Sequence, residues 1–350
     1  GSVLTGKTTP LQVESAFELE AQPPLAVKGK LDPLDTFFVR AEVLKHVRLP
    51  SHTLADVAAP FVGREPELGQ LLTAYRGALQ AQTRMLCISA EGGIGKSRLL
   101  SEFARLLRVQ GDPLTCLEHA CSASSMLEPF SALRGLVVRL CGITSLYPEP
   151  VRGTLRASFA EILGEAECDE AASSVGFVLG LLEESPELAA LRHDAGQIRG
   201  RAEVLLLQLL AHQAGQRLLV VLLEDIQHAD DASLSFLARL ASGDQRLLLV
   251  ASSRPDLWQR ADAPGPWLER LPLEPLSRSD AHKLARGLLL SIADAPQWLS
   301  DFLVEHSGGN PFFCEELLRT LFERSIIVQS PRGWSAPDEP PAEFRMPARL

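Results

Sequence analysis

The stretch Ala90-Glu91-Gly92-Gly93-Ile94-Gly95-Lys96-Ser97 sets a lysine and a hydroxyl directly after a run of glycines. This follows the phosphate-loop pattern G-x-x-x-x-G-K-[ST], with Ala90 where the first glycine belongs. Glycines let successive backbone N–H groups turn toward anionic oxygens, the Lys96 ammonium reaches β and γ phosphates, and the Ser97 hydroxyl can join a Mg²⁺ shell. The helix that follows points its positive end at the same place. Ala90 sits where the chain leaves a strand, so its departure from the pattern should matter little. The candidate nucleotide-binding residues are Glu91, Gly92, Gly93, Ile94, Gly95, Lys96 and Ser97, with Arg98 directly after them. The ligand expected is ATP or ADP with Mg²⁺.

A loop of this kind needs acids nearby, one for the metal shell and one to polarise an attacking water. Leu218 to Leu223 is a run of apolar residues ending in Glu224-Asp225. The pair therefore falls at the C-terminal edge of a buried strand, where α/β sheets bind ligands. The usual order assigns Glu224 to the Mg²⁺ shell, through water and together with Ser97, and makes Asp225 the base. Glu-Asp is the less usual order, so the exchanged assignment stays open. Asp230 and Asp231 suit the cap of the next helix. A further apolar run, Leu247 to Ala251, ends in Ser252-Ser253-Arg254, which places Arg254 beside the same site as a group able to sense a γ phosphate.

These residues need a frame. Met85–Ser89 and Leu114–Ala120 read as strands, and Ser97–Leu107 as a helix with one apolar face. The two unbroken apolar runs suit strands covered on both faces of a parallel sheet. A long helical stretch over 129–216 breaks near Pro148, Pro150 and Pro186, and a short helix lies between the apolar runs. "RLPLEPL" closes this region, 277–325 is mostly helical, and Ile326–Trp334 reads as a hairpin. Strands alternating with helices predict a doubly wound α/β domain. Residues 3–40 read instead as short strands, around a Lys28-Gly29-Lys30 turn.

The bulk numbers are those of a globular chain of two or three domains. Of its 350 residues, 46% are hydrophobic and 22% charged, and the net charge is −10. That acidity argues against nucleic-acid contact. The six cysteines form no C-x-x-C pair and read as buried reduced thiols, and Cys116, His119 and Cys121 lack a second pair of ligands at zinc spacing. No signal peptide or membrane-length apolar run is apparent, so a cytoplasmic protein is expected, and the abrupt ends suggest a fragment of a longer one.

Four stretches then coincide: "FVGREPEL" (Phe61–Leu68), the phosphate loop, "LLEDIQHADDASL" with "ASSRPDL", and "HSGGNPFFCEELLRTL". Together, over about residues 61–335, they resemble the signal-transduction ATPases with numerous domains, a regulatory branch of the AAA+-like P-loop ATPases. The resemblance implies that Val62, Gly63 and Arg64 lie along adenine and ribose. It also implies that Pro311 packs on the adenine from a lid and that Arg254 is the strand-end arginine. Separately, "AFELEAQPPLAVKGKLDPLDTFFV" resembles the closing strands of a class III adenylate or guanylate cyclase domain, without that family's metal aspartates. The expected organisation is a cyclase remnant (1–47), a linker (48–60), a P-loop ATPase core (61–276), a helical lid (277–325) and the start of a winged helix (326–350). The function expected is an ATP-binding, slowly hydrolysing switch with no cyclase activity of its own. Its expected partners are an upstream cyclase domain and downstream repeat or effector domains, with nucleotide-dependent self-association open. A non-hydrolysing scaffold and a transcriptional regulator with a downstream DNA-binding domain remain alternatives.

Overall fold

The computed structural model describes residues 4–6, 17–25, 34–42, 60–184, 195–260, 263–292, 294–330 and 333–340, and the chain divides into two compact units, Gly1–Ala58 and Ala59–Leu350. In the first unit, β1 (Leu4–Gly6), β2 (Phe17–Leu25) and β3 (Leu34–Glu42) form an antiparallel sheet in the order β1-β3-β2. Asp35 lies within β3. The Lys28-Gly29-Lys30 turn, most of the expected linker, Pro186 and residues 341–350 lie outside the described residues.

The second unit is built on a five-stranded parallel sheet in the order β5-β6-β7-β4-β8. Its strands are β4 (Arg84–Ser89), β5 (Leu114–Ala120), β6 (Leu218–Glu224), β7 (Leu247–Ser253) and β8 (Glu269–Pro272). The unbroken apolar runs are explained by the two faces. Leu219, Val221 and Leu223 point into one core layer, and Leu218, Val220 and Leu222 into the other. Alternate side chains of a strand face opposite sides, so a strand covered on both faces must be apolar at every position.

α1 (Glu65–Leu79) and α2 (Lys96–Gln110) cover the second face, with Leu71, Tyr75, Leu99 and Phe103 in its core. The other face is covered by α3 (Ser131–Leu140), α4 (Pro148–Leu163), α5 (Cys168–Val178), α6 (Ala195–Gln216) and α7 (Asp231–Leu240). Pro148 stands at the first position of α4, where its missing N–H costs nothing. A second break falls at Gly164, whose φ of +81° ends α4. Beyond the sheet come α8 (Arg278–Leu288), α9 (Gln297–Ser307) and α10 (Pro311–Glu323), then the hairpin β9 (Val328–Ser330) and β10 (Gly333–Ser335). β8 carries too little pattern to show in the sequence: it is only four residues long, with one buried position.

Candidate functional site

The glycine-rich loop leaves β4 at the C-terminal edge of the sheet and enters α2 at Gly95, a left-handed residue with φ +106°. Backbone geometry there favours glycine. A Cβ on Gly92 or Gly95 would meet no atom within 4 Å, so the space beside the loop at these positions is open. Lys96 is buried and closes the loop: its ammonium donates to Ala90 O (2.8 Å) and Glu91 O (2.9 Å). Burial lowers its pKa, against the pull of the nearby Asp225 carboxylate. The Ser97 hydroxyl is exposed and hydrogen-bonds the Glu224 carboxylate, which joins the two groups expected to serve a metal.

Past β6 the chain turns sharply. Asp225 adopts left-handed backbone angles (φ 54°, ψ 45°), a conformation aspartate tolerates better than most residues, and its N–H donates to Ser252 Oγ (3.2 Å) on β7. Asp225 and Arg254 come together through a residue that sequence reasoning passed over. The buried Gln227 side chain donates from Nε2 to Asp225 Oδ1 (3.0 Å), and its Oε1 accepts the Arg254 N–H (3.1 Å). Only one orientation of the amide satisfies both partners. The sequence signal was weak, a lone glutamine two residues after an acid; its role depends on β6 and β7 lying side by side.

Arg64, in the segment before α1, is buried and donates from Nη2 to Ile94 O (3.1 Å); Nη1 pairs with Glu67. Burial lowers its pKa, and Glu67 and Asp280 oppose that. Gly63 (φ +67°) packs against α8: a Cβ there would stand 2.6 Å from Asp280 Cγ. Val62 precedes it, half-buried. Pro311 is the first residue of α10, and its neighbour Asn310 donates from Nδ2 to Gly92 O (3.0 Å). Arg64, from the segment before α1, and the start of α10 thus both bond to the phosphate loop, while Gly63 meets α8. Arg98 lies on the flank, near Glu102 and Glu315.

Asp230 does more than cap α7. Its carboxylate accepts from Ser233 N and Oγ and also from Phe130 N (2.8 Å), Ser131 Oγ (3.1 Å) and Ala132 N (3.4 Å) at the start of α3. Among the described residues no three His, Cys, Asp or Glu side chains converge as a metal site.

A family profile described as AAA ATPase domain matches residues 60–251, more than half of the chain, and the protein belongs to that family. It is a P-loop ATPase-type nucleotide-binding module on an α/β frame. A second profile, a domain of unknown function, matches 277–329. An uncharacterized protein of Rhizobium meliloti (strain 1021) is 28% identical over 76% of this chain and 25% of its own length. Adenylate cyclase type 10 of Oryctolagus cuniculus is 22% identical over 77% of this chain and 17% of its own. The chain thus spans a quarter or less of these relatives. Among solved structures, Drosophila ORC bound to DNA matches with 13% identity and TM-score 0.48, over 91% of this chain and 67% of that one. A signal transduction ATPase with numerous domains with a tetratricopeptide repeat sensor, from Pyrococcus horikoshii, matches with 16% identity and TM-score 0.37, over 76% and 30%. No helix among the described residues is long and apolar enough to cross a membrane.

The groups present fit a Mg²⁺-nucleotide: an open glycine cradle, a buried lysine across it, and a hydroxyl paired with a carboxylate at its rim.

Proposed function

We propose that this chain is the ATP-binding, slowly hydrolysing switch module of a multidomain signalling protein, working between an upstream nucleotide cyclase domain and downstream repeat or effector domains. The hydrogen bond between Ser97 and Glu224 carries the nucleotide reading, because it brings a metal-binding hydroxyl and a strand-end carboxylate together beside the phosphate loop. The cyclase link rests on the resemblance of residues 1–47 to a cyclase tail and on the name of the rabbit relative. The proposed division is a remnant at 1–47, a linker at 48–60, a core at 61–276, a lid at 277–325 and the start of a winged helix at 326–350.

In this reading the loop from Glu91 to Ser97 binds the phosphates, and Lys96 shifts its ammonium from the loop carbonyls to their oxygens. Mg²⁺, when bound, supplies charge neutralisation at the phosphates. Ser97 and Glu224 hold its shell, Asp225 takes the proton of the attacking water, and Arg254 stabilises charge on the terminal phosphate. Val62, Gly63 and Arg64 line the nucleoside from one side and Pro311 from the other. Lys96→Ala should lose most ATP affinity by calorimetric titration. Asp225→Asn should keep ATP binding and lose most turnover, whereas Glu224→Gln should weaken the Mg²⁺ dependence. Wild-type hydrolysis by Asp225→Asn would overturn the assignment of the base.

A further inference from the structure

From Ala90 to Ile94 every backbone carbonyl accepts a hydrogen bond from a named donor. Lys96 Nζ serves Ala90 and Glu91, Asn310 Nδ2 serves Gly92 (3.0 Å), Phe312 N serves Gly93 (3.3 Å) and Arg64 Nη2 serves Ile94 (3.1 Å). In a trans peptide the C=O and the next N–H point in opposite directions. The Gly92 and Gly93 carbonyls, held toward the start of α10, therefore aim the N–H groups of Gly93 and Ile94 the other way, and successive N–H groups turned to one side are what binds an anion.

Two of these donors come from the start of α10, more than two hundred residues along the chain. Asn310 is buried and its amide is divided: Oδ1 accepts from Phe312 N (3.1 Å) and Phe313 N (3.4 Å) as the helix cap, while Nδ2 reaches Gly92. The approach is close enough to exclude a side chain: a Cβ on Gly93 would stand 2.6 Å from Asn310 Oδ1 and 2.8 Å from Phe312 Cβ. Gly93 thus serves two needs, its φ of +81° and this contact. The entry to α10 is itself tied to the sheet side, with Leu276 N donating to Gly309 O (2.8 Å).

We infer that Asn310 is a positioning residue for phosphate: through the Gly92 and Gly93 peptides, the helices beyond the sheet set the shape of the phosphate cradle and respond to phosphate alone, without adenine. The inference rests on the loop being the phosphate site and adds a route by which the 277–325 region reads it. Asn310→Ser tests it, because serine keeps an N-cap acceptor but is too short to reach Gly92. The probe is inorganic tripolyphosphate with Mg²⁺, titrated calorimetrically, with adenosine as the base-only comparison. Losing one net hydrogen bond that orders the cradle should weaken tripolyphosphate binding about fivefold or more, with adenosine binding unchanged. Equal tripolyphosphate affinity in wild type and variant would overturn the inference, as would equal losses for both probes. A measurement on the wild-type chain covers the case of a variant that does not fold. Tripolyphosphate alone should raise hydrogen-exchange protection over residues 308–314 as well as 90–97, and protection confined to 90–97 overturns the inference. Lys96→Ala separates the two failures. If it binds tripolyphosphate as wild type does, the phosphate-site reading falls. If it does not bind, and Asn310→Ser is indistinguishable from wild type, only the role of Asn310 falls.

Discussion

Gln227 spends both ends of one amide on two residues proposed for the chemistry, the Asp225 carboxylate and the Arg254 backbone. An amide held at both ends helps orient the carboxylate, and a base must be oriented before it can take a proton. Gln227→Leu keeps most of the buried volume and removes both bonds. Turnover is expected to fall by about tenfold or more while ATP affinity stays within about twofold, a loss confined to the transition state. Single-turnover hydrolysis beside calorimetric titration measures the split, and a matching loss of affinity would contradict it. The contrast with the loop shows what a sequence can reveal. Gly92, Gly93, Gly95, Lys96 and Ser97 are recognisable because local backbone geometry demands those types at that spacing. Gln227 is hidden because its partner Arg254 follows the end of another strand. The same holds for Asn310, whose partner Gly92 is separated from it by most of the domain.

At the scale of elements, Asp230 joins α7 to the first turn of α3, gathering N–H groups that have no partner inside either helix. Burial would raise its pKa, but the hydrogen bonds from Ser233, Phe130 and Ala132 outweigh burial and hold it below the usual aspartate value. A depressed folded pKa contributes stability above the unfolded value near pH ~3.9, lost as pH falls through the folded value. Asp230→Ala should cost about 3 kcal/mol at pH 7, from a lost cap and stranded buried donors. Its deficit against wild type should shrink below about pH 4. Urea unfolding at pH 7 and at pH 3 checks both parts. The sequence showed Asp230 as a cap, because a cap is local; its grip on α3 was not legible across some hundred residues. The strands flanking the site were legible from unbroken apolar runs, but β8 and the break at Gly164 were not, since neither interrupts a pattern strongly.

At the scale of the whole chain, ADP is expected to raise hydrogen-exchange protection over residues 306–316 together with the loop, because the start of α10 already bonds to it. Protection of the loop alone would remove Pro311 from the nucleoside site. The first unit carries a different expectation. Cyclisation of a nucleotide requires metal ions held by aspartates, and residues 1–40 contain only Asp32 and Asp35. No cyclic nucleotide should form from ATP or GTP with Mg²⁺ or Mn²⁺, and cyclic AMP above the blank of the purified chain would contradict this.

The strand order has a consequence for synthesis. β4, which launches the phosphate loop, is flanked by β7 and β8, and β7 begins at Leu247, far downstream. As the chain leaves the ribosome, β4 and its loop emerge early and wait unpaired while all of α3 to α6 is translated. Parallel pairing at such separation is slow to form, because loop closure must precede its contacts. Nucleotide can therefore act as a folding ligand only late, once β7 and β8 have emerged. Nascent chains stalled before residue 245 should show no ATP-dependent protease resistance. Chains released past α10 should gain it in one step, and resistance in the shorter chains would show that the loop binds without its neighbouring strands.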